Sequence, residues 1–311
     1  MNQEEFDRLT KQSLDNIRAK VICDSVNPDG TRLTTMEWKY PRFIHSEIMT
    51  HRKLSRNSAS SRAIPLSKMI ANITECPVFP IHWGKNEKGM QASSELDSEQ
   101  KLNAAWNWMG ARNDAIEYAQ QLETIGIHKQ IGNRLLEPWM WITVIVSATN
   151  FENLFALRCH PAAEPHFQNL AYKVRDALDT STRKFLQWGE WHLPYFGQHG
   201  GDAEDYALSI ELHPKVSAGR CARVSYLTHE GKREPEKDVE LCDRLSAQSP
   251  VHASPLEHPA VAFNPREDME LNVAWHGIKA AKIPRGDWGN FDPGWLQYRK
   301  MIPNENITRR V

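Results

Sequence analysis

The chain has 311 residues, with 38 lysines and arginines against 39 aspartates and glutamates, a formal net charge of −1 and 40% hydrophobic residues. That length supports one large domain or two small ones, and the balanced charge argues against duplex nucleic acid as a partner. No apolar run reaches the roughly 18 residues a membrane span needs, and the charged segment 1–19 has no apolar stretch of a secretory leader, so no membrane association and a cytoplasmic location are expected.

Residues 20–26 and 32–39 alternate or are β-branched around Asn27-Pro28-Asp29-Gly30, which predicts a strand, a turn and a strand. Pro41 then precedes a short helix over 42–54. It delivers Thr50 to Ala63, a stretch with three arginines, a histidine, an asparagine and four serines, and almost nothing to bury. Arg52, Arg56 and Arg62 carry forked donors that match phosphate oxygens, and serine hydroxyls and backbone amides add neutral ones. A solvated polar loop is the competing reading. Residues 65–98 are rich in Pro, Gly, Asn and Ser and predict a long irregular segment of the kind used as a lid or binding loop.

Leu102, Trp106, Met109, Ile116, Ala119 and Leu122 recur at helical steps, predicting an amphipathic helix over 102–125 stopped by Gly126. A second helical piece over 128–136 ends at Pro138, and the β-branched and aromatic run 139–147 predicts a buried strand. Asn150 caps a helix over 151–158, cut by Pro161. Pro165 opens another, with Phe167, Leu170, Ala171, Val174 and Leu178 on one face. Beyond it, 188–205 is aromatic and loop-like, 208–216 is weakly patterned, 230–237 is a charged turn and 238–245 a short helix. The rest, 259–311, mixes short strands and loops around Trp275, Trp288 and Trp295. A few strands alternating with several helices predict an α+β fold, a single mixed sheet with packed helices, in one domain spanning 1–311.

Five cysteines without a CxxC pair fit reduced thiols, and 13 histidines make neither HExxH nor a zinc spacing, so no metal is expected. Cys159, between Arg158 and His160, would be an activated nucleophile if the three met. Neighbours on a helix point about 100° apart, so an incidental thiol is the competing reading.

His51-Arg52, seven intervening residues, then Ser60-Ser61-Arg62 resembles the signature of the flavin-dependent thymidylate synthases. That motif runs Arg-His-Arg, seven residues, then Ser-x-Arg-Tyr, with Ser-x-Asn-Glu in the gap, where Ser55-x-Asn57 falls in register. Thr50, Ser58 and Ala63 depart from it, replacing Arg, Glu and Tyr. Around Arg134, Asn133-Arg134-Leu135-Leu136-Glu137-Pro138 resembles the family's Ala-Arg-x-x-Leu-Pro. Asn153-Leu154-Phe155-Ala156-Leu157-Arg158 resembles its Asn-Phe-Leu-x-Leu-Arg. Cys221-Ala222-Arg223-Val224-Ser225, the acidic run Pro235-Glu236-Lys237-Asp238, and His252-Ala253-Ser254-Pro255-Leu256-Glu257-His258 resemble the family's first segment. There that segment precedes the basic stretch; here it follows everything else. The matches fall in three blocks, 20–63, 102–180 and 217–263, and a circular permutation is the simplest account.

The resemblance implies methylation of deoxyuridylate to thymidylate, with FAD as cofactor, methylenetetrahydrofolate as one-carbon donor and NADPH as reductant. It implies a homotetramer with sites shared between subunits. Ser60, Ser61, Arg62 and Arg134 would hold the substrate phosphate, Glu47 would stand where the family's Gln touches the nucleotide, and Arg158 would meet the uracil edge as the catalytic residue. His51, Arg52, Asn57, Asn153, Ser225 and His258 would contact FAD. The three departures leave other readings open: a related enzyme that leaves a hydroxymethyl group, or a flavin- or nucleotide-binding protein whose redox chemistry is lost. A nucleic-acid-binding module is weaker, because the basic stretch lacks interleaved aromatics.

Overall fold

The computed structural model describes residues 1–197, 203–224, 234–264, 289–291 and 293–305. The centre is a five-stranded sheet in the order β3-β4-β2-β1-β5. Its first hairpin joins β1 (Arg18–Val26) and β2 (Arg32–Pro41), antiparallel, with Val26 opposite Arg32 and Lys20 opposite Glu37. The turn closes because Gly30 takes φ +80°, open to glycine at no steric cost, and the Asn27 side chain accepts from the Thr31 N–H at 2.9 Å. β4 (Trp141–Ala148) lies between β2 and β3 (Ser55–Ser58), antiparallel to both, while β5 (Lys184–Phe185) adds a short parallel edge beside β1.

Both faces of this sheet are covered, which is why β4 reads as a nearly continuous apolar run. On one face Met36, Trp38, Tyr40, Val144 and Val146 pack against Phe167, Leu170 and Val174 of α7 (Pro165–Asp179). Each such side chain, fully buried, stabilises by about 1.5–3 kcal/mol. On the other face Ile22 and Ile145 meet Cys221 and Val224, at the end of α9 (His213–Arg223).

The expected single sheet is joined by a second, of three strands in the order β6-β7-β8: Trp191–His192, Ala260–Ala262 and Trp295–Gln297. Strands of two or three residues are too short to show a period in sequence. Leu33 of β2 packs with Ala260, Ala262, Phe291 and Trp295 and joins the two sheets.

Several helices differ from expectation. α1 (Gln3–Asn16) was legible only as charged chain; it buries Phe6, Leu9 and Ser13, and Ser13 Oγ accepts from the Phe79 N–H at 2.9 Å. The segment expected to be irregular over 65–98 opens with α3 (Leu66–Glu75). The helix expected over 42–54 is a 3₁₀ turn, Arg42–Ile44, followed by α2 (His45–Ile48). α4 runs Ser98–Thr124 and is capped by an Asp97/Gln100 capping box. Gly126 stops it at φ +83°. Of the residues expected on its inner face, Ala119 is buried and Leu102, Met109 and Ile116 pack on the core, joined by Ala105, Trp108 and Ala115, whereas Trp106 points outward at 62% exposure. The remaining helices are α5 (Lys129–Gly132), α6 (Glu152–Arg158), α8 (Ala203–Ala207) and α10 (Pro235–Ser246). No helix among the described residues is long and apolar enough to cross a membrane. Trp275 and Trp288 lie outside the described residues.

Candidate active site

The polar stretch Thr50–Ala63 is in part an edge strand rather than a loop. Arg56 Nη1 donates to the carbonyls of Ile48 at 3.1 Å and His51 at 3.0 Å, closing the turn that ends α2. Arg56 is therefore turned back into the chain and does not present its fork to an anion. β3 follows, with Ser55 opposite Ser147 and Asn57 opposite Ile145. A run of polar residues forms a strand here because those facing inward find partners. Ser55 Oγ accepts from Gln297 Nε2 at 2.9 Å and from Asn290 Nδ2 at 3.1 Å. Asn57 Nδ2 donates to the Cys221 carbonyl at 2.8 Å, and its Oδ1 accepts from Ser254 Oγ at 3.1 Å. Asn57, expected beside FAD, is 4% exposed and ties β3 to both parts of the 217–263 block.

His51 and Arg158, 107 positions apart, meet directly: Arg158 Nε–H donates to His51 Nε2 at 3.2 Å. The guanidinium carbon stands 4.6 Å from the centre of the Phe167 ring, and Nη1 lies 3.5 Å from Glu47 Oε2. His51 packs edge-on against the same phenyl ring at 5.6 Å. Burial, then the charges of Arg158 and Arg56, lower the His51 pKa from its ordinary 6.5. A neutral ring whose Nε2 accepts carries its proton on Nδ1. Burial first, then Glu164, raise the Glu47 pKa, against the pull of Arg158.

His51 also lines a cleft of about 530 Å³ with Thr50, Arg52, Lys53, Asn150, Asn153 and Asn290, over a floor that includes Leu54, Ala148 and Leu154. The volume falls within the roughly 300–1,000 Å³ of small-ligand sites. An apolar floor, amide walls and cations at the rim fit the donor set that FAD needs, a planar heteroaromatic ring carrying an anionic tail. Asn153 and Arg158 lie on α6, and the Asn150 side chain accepts from the Glu152 N–H at 2.7 Å at its start.

The expected phosphate residues fall elsewhere. Ser61 is buried and lines a second cleft, of about 570 Å³, with Arg18, Lys39, Arg42 and Lys68. The turn around it is held from the 128–139 side: Asn133 Nδ2 donates to the Ser61 carbonyl at 2.6 Å and Lys129 Nζ to the Ala63 carbonyl at 2.9 Å. Ser60 is half-buried and Arg62 exposed. Arg134 follows Asn133 in sequence but points outward and pairs with Glu137 at 2.7 Å, which Arg42 also meets at 3.0 Å. Neither Arg62 nor Arg134 lines either cleft.

His258 is fully buried, with Nδ1 2.8 Å from Ser147 Oγ, and burial, then His192, push its pKa down to about 3. Ser225 lies outside the described residues. Cys159 is no activated thiol: burial raises its pKa, only partly offset by Arg175, and His160 Nδ1 instead accepts from the Ala162 N–H at 3.1 Å.

Sequence reasoning missed Asn290 and Phe167 as parts of the site. Asn290 sits in a block without a motif match, and Phe167 was legible only as core. It also missed a buried ion network. Arg220, 3% exposed, donates to Asp205 at 2.6 and 2.5 Å, to Asp238 at 2.9 Å and to the Tyr195 carbonyl at 2.8 Å, while Arg223 Nε meets Asp238 at 2.5 Å. It pins α8, α9 and α10 together. Gly219 permits that closeness, since a Cβ there would stand 2.2 Å from the Asp238 carbonyl oxygen.

No protein-family model and no curated protein matches the chain. Among solved structures, the UMP/dUMP methylase PolB from Streptomyces cacaoi bound with 5-Br UMP aligns at a TM-score of 0.43 and 14% identity, covering 52% of this chain and 88% of that one. The same methylase bound with 5-Br dUMP aligns at a TM-score of 0.38 and 12% identity, covering 57% of this chain and 76% of that one.

Proposed function

We propose that the chain is a flavin-dependent pyrimidine-nucleotide-modifying enzyme that methylates deoxyuridylate to thymidylate, with the family's motif blocks in permuted order. The observation that carries this reading is the meeting at one cleft of motif residues remote in sequence: His51, Arg52 and Asn153 line it, and Arg158 bonds His51. Asn57, bonded to Cys221 and Ser254, ties the motif blocks together outside that lining.

Reduced flavin supplies the hydride, methylenetetrahydrofolate the one-carbon unit, and NADPH the reducing equivalents. The chain's own work is binding and electrostatics. His51 offers Nδ1–H as a neutral donor, Asn150, Asn153 and Asn290 offer amides, and Arg52 and Lys53 place positive charge at the rim for an anionic tail. Arg158, braced by Phe167 and His51, would hold the uracil edge and stabilise negative charge developing on the ring. Ser60, Ser61, Arg62 and Arg134 would hold the substrate phosphate. Arg62 and Arg134 stand away from the cleft, so a site that uses them would have to be completed by another subunit, which the proposed homotetramer would supply. With Thr50 lining the cleft where the family has an arginine, a hydroxymethyl rather than a methyl product is the second reading.

The test is an anaerobic incubation with FAD, NADPH, methylenetetrahydrofolate and deoxyuridylate, reading the nucleotide product by mass. Thymidylate that disappears in Arg158→Ala is expected. A product heavier by one oxygen selects the second reading, and a protein that stays colourless with FAD and makes no product overturns both.

A further inference from the structure

Beneath the central sheet runs an unbroken row of buried polar groups that the proposed chemistry does not use. His192 Nδ1 lies 2.9 Å from Ser25 Oγ and 3.4 Å from Cys23 Sγ. Its Nε2 lies 2.8 Å from Thr35 Oγ1, which lies 2.5 Å from Ser147 Oγ, which lies 2.8 Å from His258 Nδ1. His192, Thr35, Ser147 and His258 are each 0% exposed. The row ends at His258 Nε2, which is buried and has no hydrogen-bond partner among the described residues. It crosses β1, β2, β4, β6 and the segment before β7, so five separate pieces of chain set its spacing.

We propose that His192 is a remote positioning residue, which sets through Thr35 and Ser147 whether the unpartnered nitrogen of His258 carries a proton or a bare lone pair. The argument is proton counting. Each hydroxyl has one proton and stands between two partners, so it donates to one and accepts from the other. With both imidazoles neutral, as deep burial dictates, two arrangements satisfy every contact. In one, His192 Nε2–H donates to Thr35, Thr35 to Ser147, and Ser147 to His258 Nδ1, leaving His258 Nε2–H as a donor. In the other every bond is reversed: His258 Nδ1–H donates to Ser147, His192 Nδ1–H donates to Ser25, and His258 Nε2 is a bare acceptor. Mixed arrangements strand a buried hydroxyl proton, face two protons together, or leave the Thr35 and Ser147 oxygens lone pair to lone pair with no proton between them. The two rings therefore carry the same tautomer, and whatever fixes the proton at His258 Nε2 selects the state of His192 at the far end. The coupling between the rings does not rest on the proposed function.

The experiment is nuclear magnetic resonance on protein labelled with ¹⁵N-histidine, in which long-range proton–nitrogen correlations distinguish a protonated from a bare ring nitrogen. His192 and His258 are expected to be both Nε2–H or both Nδ1–H. Thr35→Val keeps the shape but removes the hydroxyl, and should free the two rings to take different tautomers, while Thr35→Ser should restore the matched pair. Opposite tautomers in the unaltered protein overturn the proposal, even if Thr35→Val does not fold. An unchanged, matched pair in a folded Thr35→Val protein overturns it too. Neither readout depends on catalysis, so a failed product assay leaves this result interpretable.

Discussion

Asn57→Ala is the substitution that most directly probes how the motif blocks are held together. Asn57 is 4% exposed and makes two cross-block bonds, at 2.8 Å to the Cys221 carbonyl and at 3.1 Å from Ser254 Oγ. Cys221 lies in the last turn of α9, where backbone carbonyls have no partner within the helix. The asparagine amide therefore supplies a bond that the helix cannot. Two ordinary hydrogen bonds contribute about 1 kcal/mol each, and a buried carbonyl left unpaired adds about 1–3 kcal/mol, so the expected loss is about 3–5 kcal/mol. Urea unfolding would read it as a lower midpoint at unchanged slope. Ser254→Ala should cost about 1 kcal/mol alone and nearly nothing in the Asn57→Ala background. Additivity of the two within about 0.5 kcal/mol would refute the pairing, and a loss below about 1 kcal/mol for Asn57→Ala would refute the claim that β3 is tied to α9 through this side chain.

Three further outcomes follow from the same contacts. Arg220→Met removes the cation from between Asp205 and Asp238 and leaves Asp205 without one among the described residues, so a loss of about 3–5 kcal/mol in urea stability is expected; a neutral result would show that the pairing contributes only specificity. Burial pushes the pKa values of His192 and His258 down from 6.5 to about 3. Below pH 6.5 the unfolded chain then binds protons that the folded chain refuses, and stability is lost as pH falls, by roughly 2 kcal/mol per ring between pH 6.5 and pH 5. Urea midpoints at those two pH values, and a shallower fall in His192→Gln, check this; equal midpoints would contradict it. Cys159→Ser should leave product formation unchanged, because the thiol is held protonated by burial, and a lost product would return it to the site.

The parts of the fold legible in sequence are those in which local chemistry and final environment agree. The β1–β2 hairpin announces itself through Asn27-Pro28-Asp29-Gly30, β4 through its buried apolar run, and α7 through Phe167, Leu170 and Val174 on one face. The parts not legible are those whose partners lie far away in sequence. β3 is polar along its length and becomes a strand only because Cys221, Ser254, Asn290 and Gln297 reach it. Composition marked Arg52, Arg56 and Arg62 alike as anion donors, yet Arg56 is used by the backbone carbonyls beneath it, a choice no local pattern reveals.

The motif residues themselves divide by the bonds they make. Asn57, Arg223, Asp238 and Ser254 bond within the scaffold, so their presence follows from the need to hold three blocks in register, whatever the chemistry. His51, Arg52 and Asn153 line the cleft, with Arg158 bonded to the first of them, and only these tie the pattern to a ligand. The three departures from the family pattern divide in the same way. Ser58 lies in β3 opposite Val144, and Ala63 is held through its carbonyl by Lys129, so both are answerable to the scaffold. Thr50 alone of the three faces the cleft. A threonine there, its hydroxyl donating to the Glu47 carbonyl at 2.6 Å, leaves Arg52 and Lys53 as the cations of the rim. An altered ligand preference or product is therefore to be sought at position 50 before the other two.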